Sequence, residues 1–218
     1  MELSEMTREN TILFVCDVQD QKHARLVKQA KSAQRTNPLH TLIGTMNYNR
    51  AIATVVRALE FSKIIGVPIL KSEHVFKNEH MIIKGKPITR GETQRAVQEF
   101  FNKNQVPSVR AKEYQKTTIS MIDDQIRSEI VGDSSENMFF KTKFAVIVGL
   151  ETHLAVWKTC KDLKKLGIMP VIIVDGVCSA RNLDSDLCLK RMKANGMVLM
   201  TLEMWAENFG IEDGRFKF

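Results

Sequence analysis

Aromatic side chains, cysteines and long apolar runs are all scarce in this sequence. Aromatic residues make up 7% of its 218 positions, and its four cysteines include no CxxC or CxxH pair, which argues against a zinc site or a disulfide framework. The longest apolar runs are about as long as a strand, far short of the roughly 20 residues that a transmembrane helix requires. We therefore expect a protein that does not span a membrane and keeps reduced thiols in an intracellular compartment.

Acidic residues are absent between Asp20 and Glu60, although the stretch contains seven lysines and arginines. These seven account for the whole net charge of +7, because the other 25 basic residues equal the 25 acidic ones. They are Lys22, Arg25, Lys28, Lys31, Arg35, Arg50 and Arg57. Such a basic surface can bind RNA, anionic lipid or an acidic protein partner. A solvated face without a partner is the alternative, because no aromatic residues are interleaved with Lys22 to Arg35 for base stacking.

The first ten residues are polar. They include three glutamates and lack the apolar segment of a signal peptide. We expect residues 1–10 to be the N-terminal tail of a single domain that spans residues 1–218, because this length and the 44% hydrophobic content suit one sizeable core.

Apolar runs of strand length alternate with helical patterns along the chain. Strands are predicted at Thr11–Asp17, Val67–Lys71, Val109–Lys112, Phe144–Val148, Met169–Asp175 and Met197–Thr201. Helices are predicted at Gln21–Arg35, Asn49–Ile65, Thr93–Phe101, from Ser120 onward, and at Leu154–Leu163, Leu183–Ala194 and Leu202–Phe209. Apart from its helix, His74–Pro107 is expected to be irregular, and Gly132–Asn137 to be a turn. The alternation predicts a three-layer α/β/α sandwich around a mostly parallel, Rossmann-like sheet of about six strands.

Phe144–Cys160 is the stretch around which this fold is organised. It opens with FAVIV, the pattern of a parallel strand buried on both faces, and it ends with leucine, tryptophan and cysteine at helical spacing. A glycine and a short polar elbow join the two. Because doubly wound α/β proteins carry their chemistry at the carboxyl ends of strands, we expect a functional site at Gly149–Ala155.

Five ordered sequence blocks, most of them at predicted strand ends, carry a family resemblance. The blocks are FVCDVQ at Phe14–Gln19, KSEH at Lys71–His74, KTTISM at Lys116–Met121, GLETH at Gly149–His153 and VDGVCSAR at Val174–Arg181. From about Thr11 to Phe209 the chain resembles the isochorismatase-like cysteine hydrolases. Within that family it is similar to the isochorismatase-domain-containing branch, which includes proteins described as mitochondrial-associated ribonucleases.

The resemblance implies a catalytic set of an aspartate, a lysine and a cysteine. In that family a thiolate attacks a carbonyl or imine carbon, the aspartate moves the proton, and the lysine holds negative charge and lowers the pKa of the thiol. Asp17 and Lys116 match the aspartate and the lysine, but the nucleophile falls on Ala155, whose methyl group cannot attack. Asp17 and Lys116 are therefore vestigial, and can persist as a buried ion pair without a catalytic role. The resemblance also implies a cis peptide bond between Leu150 and Glu151.

Cys178 is the one other candidate nucleophile among the thiols, because it follows a predicted strand at the same rim of the sheet. Cys16 neighbours Asp17 but alternates to the opposite face of its strand. Cys160 lies five residues after Ala155, roughly 140° around an ideal helix, and should point elsewhere.

Two further groups of polar residues invite a functional interpretation. Glu73, His74 and His80 lie near the place where the nicotinamidase branch binds a metal through an aspartate and two histidines. The Asp-x-His element is absent here, so we expect solvated histidines and no metal. His153 on the elbow is a candidate base beside Glu151, although Glu151 is expected instead to cap the following helix through its first-turn amides. No cofactor is predicted.

Loss of the nucleophile, the basic stretch and the irregular excursion favour a catalytically inactive protein that serves as a structural or interaction subunit. We expect it to self-associate or to join a larger assembly, in the mitochondrion or otherwise in the cytoplasm. One alternative is a small-molecule amide or ester hydrolase that uses Cys178 or a water activated by Asp17. A second alternative is an RNA-binding protein that uses the basic segment of residues 21–59, although no pair of histidines is placed for ribonuclease chemistry.

Overall fold

Six parallel strands form the central sheet of the computed structural model, which describes residues 2–20, 38–75, 82–83, 86–87, 91–104, 110–131 and 142–210. The strands of the chain are β1 (Thr11–Cys16), β2 (Ile69–His74), β3 (Ile82–Ile83), β4 (Lys86–Pro87), β5 (Ala111–Lys116), β6 (Phe144–Leu150), β7 (Met169–Cys178) and β8 (Val198–Met200). The sheet has the order β5-β2-β1-β6-β7-β8, and β3 and β4 form a separate antiparallel pair.

Helices cover both faces of the sheet. They are α1 (Pro38–Ile65), α2 (Arg95–Lys103), α3 (Asp124–Val131), α4 (Trp157–Lys165), α5 (Asn182–Ala194) and α6 (Leu202–Glu207). The buried side chains of α1, α2 and α6 belong to one core, and those of α3, α4 and α5 belong to a second core across the sheet. The predicted three-layer α/β/α sandwich is therefore confirmed. Within the described residues, no helix is long and apolar enough to cross a membrane.

Strand β1 shows how one short apolar run serves both cores. Its six residues are all buried, with Leu13 and Val15 packed on the side of α1 and Phe14 and Cys16 on the side of α4. All seven residues of β6, its neighbour in the sheet, are buried as well. This burial on both faces explains why the two strands read as continuous apolar runs rather than as alternating ones.

Two predicted strands lie further along the chain than expected. The predicted strand Val67–Lys71 is observed at Ile69–His74. Pro68 has no N–H, and its carbonyl accepts a bond from β1 just before the strand begins. The predicted strand Val109–Lys112 is observed at Ala111–Lys116, because β5 pairs with β2 along its whole length. Cross-strand pairing sets these ends, and the pattern of a single strand does not show it.

Two helices begin elsewhere than predicted. Helix α1 begins at Pro38 rather than Asn49, since proline suits a first helical turn. Helix α3 begins at Asp124 rather than Ser120, because the carboxylate of Asp123 accepts the backbone N–H of Ile126 at 3.0 Å and caps the helix there.

The excursion predicted as irregular, His74–Pro107, contains more regular structure than expected. It includes the β3–β4 pair and α2, which begins at Arg95 rather than Thr93 because the side chain of Gln94 accepts the N–H of Ala96 at 2.8 Å. The predicted helix Gln21–Arg35 and the predicted turn at residues 132–137 lie outside the described residues.

The residues ahead of β1 are attached to the sheet. Leu3–Glu5 forms a 3₁₀ turn, and Met6 is buried against the core on the side of α1. The carbonyl of Asn10 accepts the backbone N–H groups of Lys143 and Phe144 at 2.8 and 3.0 Å, so β1 and β6 enter the sheet side by side.

Candidate functional site

The side chains of Asp17 and Lys116 meet at the carboxyl edge of the sheet. The ammonium of Lys116 lies 2.8 Å from Oδ2 of Asp17, and both side chains are almost fully buried. Ser72 donates its hydroxyl to Oδ1 of Asp17 at 2.7 Å. Lys116 ends β5, Ser72 lies in β2 and Asp17 follows β1, so the pair spans three neighbouring strands. The structure thus brings together two of the site residues that the sequence indicates.

Lys116 has a complete set of acceptors. Besides Asp17, its ammonium donates to the carbonyls of Thr118 and Ile119 at 3.0 and 3.1 Å. A lysine ammonium has three N–H donors, and here all three are used within the protein. The charge is therefore compensated locally, and no donor of Lys116 is left for another group.

Asp17 has a left-handed backbone, which aspartate tolerates better than most residues do, with φ of +44°. The turn that follows is anchored by Gln19, whose amide oxygen accepts the N–H of His74 at 3.0 Å and whose amide nitrogen donates to the carbonyl of Gly91 at 2.9 Å. Gln19 is fully buried. These bonds fix the backbone on which the carboxylate of Asp17 is placed.

The elbow after β6 has an unusual backbone. Gly149 has φ of +119°, the Leu150–Glu151 peptide bond is cis as the resemblance implies, and Thr152–Val156 is a π-helical turn that leads into α4. The carbonyl of Glu151 accepts the N–H of Val156 at 3.4 Å, which is the wide bond of that turn. π-Helical turns of this kind occur often at functional sites.

Ala155 lies in this turn and is buried, with 3% of its surface exposed. It follows β6, which is the neighbour of β1 in the sheet, so the elbow and Asp17 lie at the same edge. At the position where the resemblance places a thiol, the protein presents a methyl group.

Glu151 does not cap the helix as predicted. It occupies the position before the π-helical turn, but its side chain accepts no backbone N–H there. Its carboxylate instead lies 3.8 Å from Nδ1 of His153. The same Nδ1 lies 2.8 Å from the hydroxyl of Ser179. Because one ring nitrogen faces both groups, the arrangement differs from a Ser-His-Glu triad, in which the two nitrogens have different partners.

Ser179 was not indicated by the sequence, although it lies in the VDGVCSAR block. It is buried at 3% exposure and ties the elbow to the end of β7 through His153. A second bond, between the hydroxyls of Thr152 and Ser185 at 2.9 Å, ties the elbow to α5. In the sequence, only the position of Ser179 in that block could have indicated a role for it. Its contact with His153 depends on the pairing of β6 with β7, which the sequence does not show.

All four cysteines are buried thiols. Cys16 packs against Met121, on the side of the sheet away from α1, and Cys160 is fully buried in the same core. Burial raises the pKa of Cys160 well above its ordinary value, and it raises the pKa of Cys188 to about 11. Both thiols are therefore poor nucleophiles at neutral pH.

Cys178 lies at the end of β7, 5% exposed, and lines a polar cavity of about 240 Å³. Arg50 and Asp175 line the same cavity. The pKa of Tyr48 is raised, first by burial and then by the negative charge of Asp20. Among the described residues, Cys178 is therefore the thiol that lines this cavity, which could admit a small molecule.

The residues near the nicotinamidase metal position do not fit a cation. Oε1 of Glu73 accepts the hydroxyl of Thr93 and lies 3.4 Å from the ammonium of Lys71, which would repel a metal ion. The prediction of a solvated His74 is wrong: the side chain is buried, because β2 continues through this residue and pairs it with Lys116. His80 lies outside the described residues. In the described part of the chain, no three His, Cys, Asp or Glu side chains are grouped to hold a metal.

Lys71 is a buried cation that the sequence did not single out. Its ammonium donates to Thr93 and Gln98 at 2.9 Å each, lies 2.5 Å from the carboxylate of Glu113, and sits over the ring of Phe101. These contacts hold α2 against the edge of the sheet. Because polar and acidic partners compensate the positive charge of Lys71, we interpret it as a structural residue.

Of the predicted basic surface, Lys22, Arg25, Lys28, Lys31 and Arg35 lie outside the described residues. Arg50 and Arg57, from the same acid-free stretch, are exposed on α1. The structure therefore describes only the C-terminal part of the basic segment.

A profile of the isochorismatase domain matches residues 11–204. The chain belongs to the isochorismatase family. The match contains the strand ends that carry Asp17 and Lys116 and the elbow that carries Ala155. Membership of this family and its α/β fold agree with the resemblance drawn from the five sequence blocks.

Curated relatives have low sequence identity to this chain, but the match covers most of its length. The Dictyostelium discoideum protein "Isochorismatase family protein 1B" is 23% identical over 201 residues, which cover 92% of this chain and 79% of that protein. The Rattus norvegicus protein "Isochorismatase domain-containing protein 2" is 23% identical over 198 residues, which cover 89% of this chain and 71% of that protein.

Solved structures of other proteins share the fold. A structure described as MAR1 ribonuclease from Caenorhabditis elegans matches with a TM-score of 0.64 at 22% identity, covering 96% of this chain and 84% of that one. The nicotinamidase PncA from Bacillus subtilis matches with a TM-score of 0.63 at 14% identity, covering 87% and 98%. At this level of identity the likeness shows the fold alone.

Proposed function

We propose that this isochorismatase-family chain has lost hydrolase activity and serves as a structural or interaction subunit of a larger assembly. The observation that carries the proposal is Ala155 at the elbow position where the family places its nucleophile. Without a thiol, Asp17 has no nucleophile to deprotonate and Lys116 has none to activate. Both are then vestigial, and their ion pair serves the fold.

The saturation of Lys116 supports this proposal. Its three N–H donors go to Asp17, Thr118 and Ile119, so none is free to bind a negatively charged substrate group. The elbow is likewise bonded to its surroundings through Thr152 and His153. A site closed in this way supports the fold and has no evident place for a reaction.

A protein of this family without catalytic activity would act through the surfaces that it presents to partners. Seven large apolar side chains are 48–64% exposed among the described residues, and they are candidates for contact with partners. They are Met46, Ile64, Ile119, Val131, Leu183, Leu187 and Met204. We propose a single domain over residues 1–218 that needs no cofactor, binds protein partners or a second copy, and works in the mitochondrion or otherwise in the cytoplasm.

Turnover by the purified protein tests the loss of activity. We expect no hydrolysis of small amides or esters above the rate of buffer, and no change in that rate when Asp17 is replaced by asparagine. Hydrolysis by the unaltered protein that Asp17→Asn abolishes would overturn the proposal.

Restoring the thiol tests whether the site is vestigial. The four native thiols are buried, so a thiol-directed alkylating reagent should label the folded protein slowly at neutral pH. Ala155→Cys should be labelled as slowly as the native thiols, because Ala155 is buried and all three N–H donors of Lys116 are occupied. Ala206→Cys, at a buried alanine of α6, is the matched control and should also be labelled slowly. Rapid labelling of Ala155→Cys alone would show that the old site is still open and able to activate a thiol, and would contradict a closed site.

Mass determination on protein purified from its source tests the assembly. A mass much larger than that of the chain or its dimer, together with partner chains, is expected. A protein recovered only as a free enzyme-like oligomer with turnover would argue for the hydrolase instead.

The cavity beside Cys178 favours the hydrolase alternative. A thiol that lines about 240 Å³ of polar space with Arg50 and Asp175 could attack a small amide or ester. Selective labelling of Cys178 in the unaltered protein, with hydrolysis that Cys178→Ala abolishes, would establish this alternative. Absence of both would remove it.

The net charge of +7, together with a fold shared with a structure described as a MAR1 ribonuclease, favours the RNA-binding alternative. Binding through the basic segment should weaken steeply with added salt and fall when Lys22, Arg25, Lys28 and Arg35 are neutralised together. Binding that is absent, or insensitive to salt, would remove this alternative. Anionic lipid vesicles tested under the same conditions would distinguish a membrane surface from RNA.

A further inference from the structure

The polar cavity of about 240 Å³ is lined by two opposite charges from two helices, Arg50 of α1 and Asp186 of α5. Neither side chain forms an ion pair or a hydrogen bond with any residue that the structure describes. A cation and an anion therefore line one space without neutralising each other. The cavity is smaller than the roughly 300 Å³ at which pockets for drug-sized molecules begin, so it suits a ligand of few atoms.

A side-chain bond between Asn47 and Asn182 joins the two helices at this cavity. The amide nitrogen of Asn47 donates to the amide oxygen of Asn182 at 2.9 Å. Arg50 follows Asn47 by three residues, and Asp186 follows Asn182 by four. Each charge therefore lies about one helical turn from this bond, on the same face of its helix. The protein thus holds the positive and the negative wall in place without an ion pair between them.

Asp175, the other carboxylate of the cavity, is already bonded within the protein. One of its oxygens accepts the backbone N–H of Leu202, the first residue of α6, at 3.0 Å. The other accepts the hydroxyl of Thr54 at 3.4 Å. Asp186 is exposed and has no such bonds among the described residues, so it is the carboxylate that a ligand would meet.

Two hydroxyl groups add neutral hydrogen-bonding capacity to the lining, those of Thr201 and Ser185. The hydroxyl of Thr201 accepts the N–H of Met204 at 3.2 Å. The hydroxyl of Ser185 shares a bond of 2.9 Å with that of Thr152. A hydroxyl has one donor and two acceptor positions, so both groups keep capacity for a further bond. The lining therefore suits a polar ligand better than an apolar one.

We propose that this cavity binds a small zwitterion of the amino-acid class, with its carboxylate on Arg50 and its ammonium on Asp186. A guanidinium binds a carboxylate through two parallel N–H donors, and a carboxylate accepts strong bonds from an ammonium. A ligand with only one of these charges would leave the other side chain unpaired. A zwitterion satisfies both and adds no net charge to the cavity.

This binding site goes beyond the proposed function and does not depend on it. Neither Arg50 nor Asp186 belongs to the ion pair of Asp17 and Lys116, so the loss of hydrolase activity leaves the site intact. A bound amino acid would join α1 to α5 through its two charges. Because such a ligand binds the folded chain and not the unfolded one, it would also raise the temperature of unfolding.

Isothermal titration calorimetry of the full chain with each of the common L-amino acids tests the proposal. We expect at least one of them to bind with a Kd of about 1 mM or lower. The matching carboxylic acid without the amino group, and the matching amine without the carboxylate, should each bind at least about tenfold more weakly. The amino acid that binds should also raise the midpoint of thermal unfolding.

Substitutions of the two charged residues assign the contacts. Arg50→Gln and Asp186→Asn should each raise the Kd for that amino acid at least about tenfold, because each leaves one charge of the ligand unpaired. Arg57→Gln, at an exposed arginine of α1 outside the cavity, and Asp124→Asn, at an exposed aspartate of α3, are the matched controls and should leave the Kd unchanged. Circular dichroism checks that all four variants are folded.

Three results would overturn the proposal. The first is that no amino acid binds at concentrations up to about 10 mM. The second is that the carboxylic acid or the amine binds as tightly as the amino acid, which would indicate a site for a single charge. The third is that Arg50→Gln or Asp186→Asn leaves the Kd unchanged, which would place the ligand elsewhere. Hydrolase assays on the same samples test the proposed function separately, because amino-acid binding predicts no turnover.

Discussion

Gly149 and Cys16 are partners on adjacent strands, and they approach so closely that a Cβ at Gly149 would lie 2.2 Å from the carbonyl oxygen of Cys16. No side chain fits in that space. The contact lies one residue before Asp17 and two before the elbow residue Glu151. The closeness of β1 and β6 at this point therefore sets how the two halves of the candidate site are placed.

Replacing Gly149 by alanine should unfold the protein or lower its free energy of unfolding by about 3 kcal/mol or more, because a backbone collision adds to a φ of +119°. Gly66→Ala is the matched control. Gly66 also has a positive φ, of +77°, but open space around its Cβ position, so we expect a loss of about 1–2 kcal/mol. Urea unfolding measures both, and equal losses would contradict the close approach.

Replacing Lys116 by methionine should cost about 3–5 kcal/mol, because it leaves the buried carboxylate of Asp17 without its counter-charge. Asp17→Asn should cost a similar amount, and the double variant should cost less than the sum. The control is Lys112→Met, which removes an ion pair with Glu129 of the same 2.8 Å length at the surface and should cost about 0–1 kcal/mol. Additive losses in urea unfolding would mean that Asp17 and Lys116 do not stabilise one another.

Replacing Lys71 by methionine should loosen α2 more than it weakens the whole fold. Methionine keeps the contact with the ring of Phe101 but loses the bonds to Thr93 and Gln98, for an expected loss of about 1–3 kcal/mol. The carboxylates it leaves behind are partly exposed and can be hydrated. In hydrogen exchange, the substitution should lower the protection of α2 more than that of β6, relative to the unaltered protein. An equal loss of protection in both elements would refute a local role of Lys71.

Stability should fall as the pH rises above about 9, because burial raises the pKa of Cys188 to about 11 while the unfolded thiol keeps its ordinary value of 9.0. Between these values the unfolded chain has lost the proton and the folded chain has kept it, so alkali favours unfolding. The contribution is fully present below about pH 9 and is lost towards pH 11. Burial acts on Cys160 in the same direction.

Urea midpoints measured between about pH 8 and about pH 10 check this pH dependence. Cys188→Ala should show a smaller fall than the unaltered protein, since it removes one of the titrating thiols. The tyrosines titrate alike in both proteins, so the difference between the two slopes isolates Cys188. Identical slopes would show that this thiol does not contribute.

The sequence predicted much of the candidate site, because the residues of this site lie at the ends of strands. Asp17 follows the run that became β1, and the elbow with Ala155 follows the run that became β6. Glu151 was misjudged because helix capping was inferred from the chain alone, whereas its carboxylate faces His153. His74 was misjudged because a polar stretch was taken for a loop, although its pairing with Lys116 extends β2 through it.

By itself the sequence determined the alternation of strands and helices, the family, and the alanine at the nucleophile position, since these depend on residue type and local order. Only the tertiary structure decided that Lys116 reaches Asp17 across 99 positions of the chain, with Ser72 of the strand between them completing the contact. It also decided that the two leucines of α5 face outward. Strand order and helix orientation arise from packing between distant segments, which a local pattern does not encode.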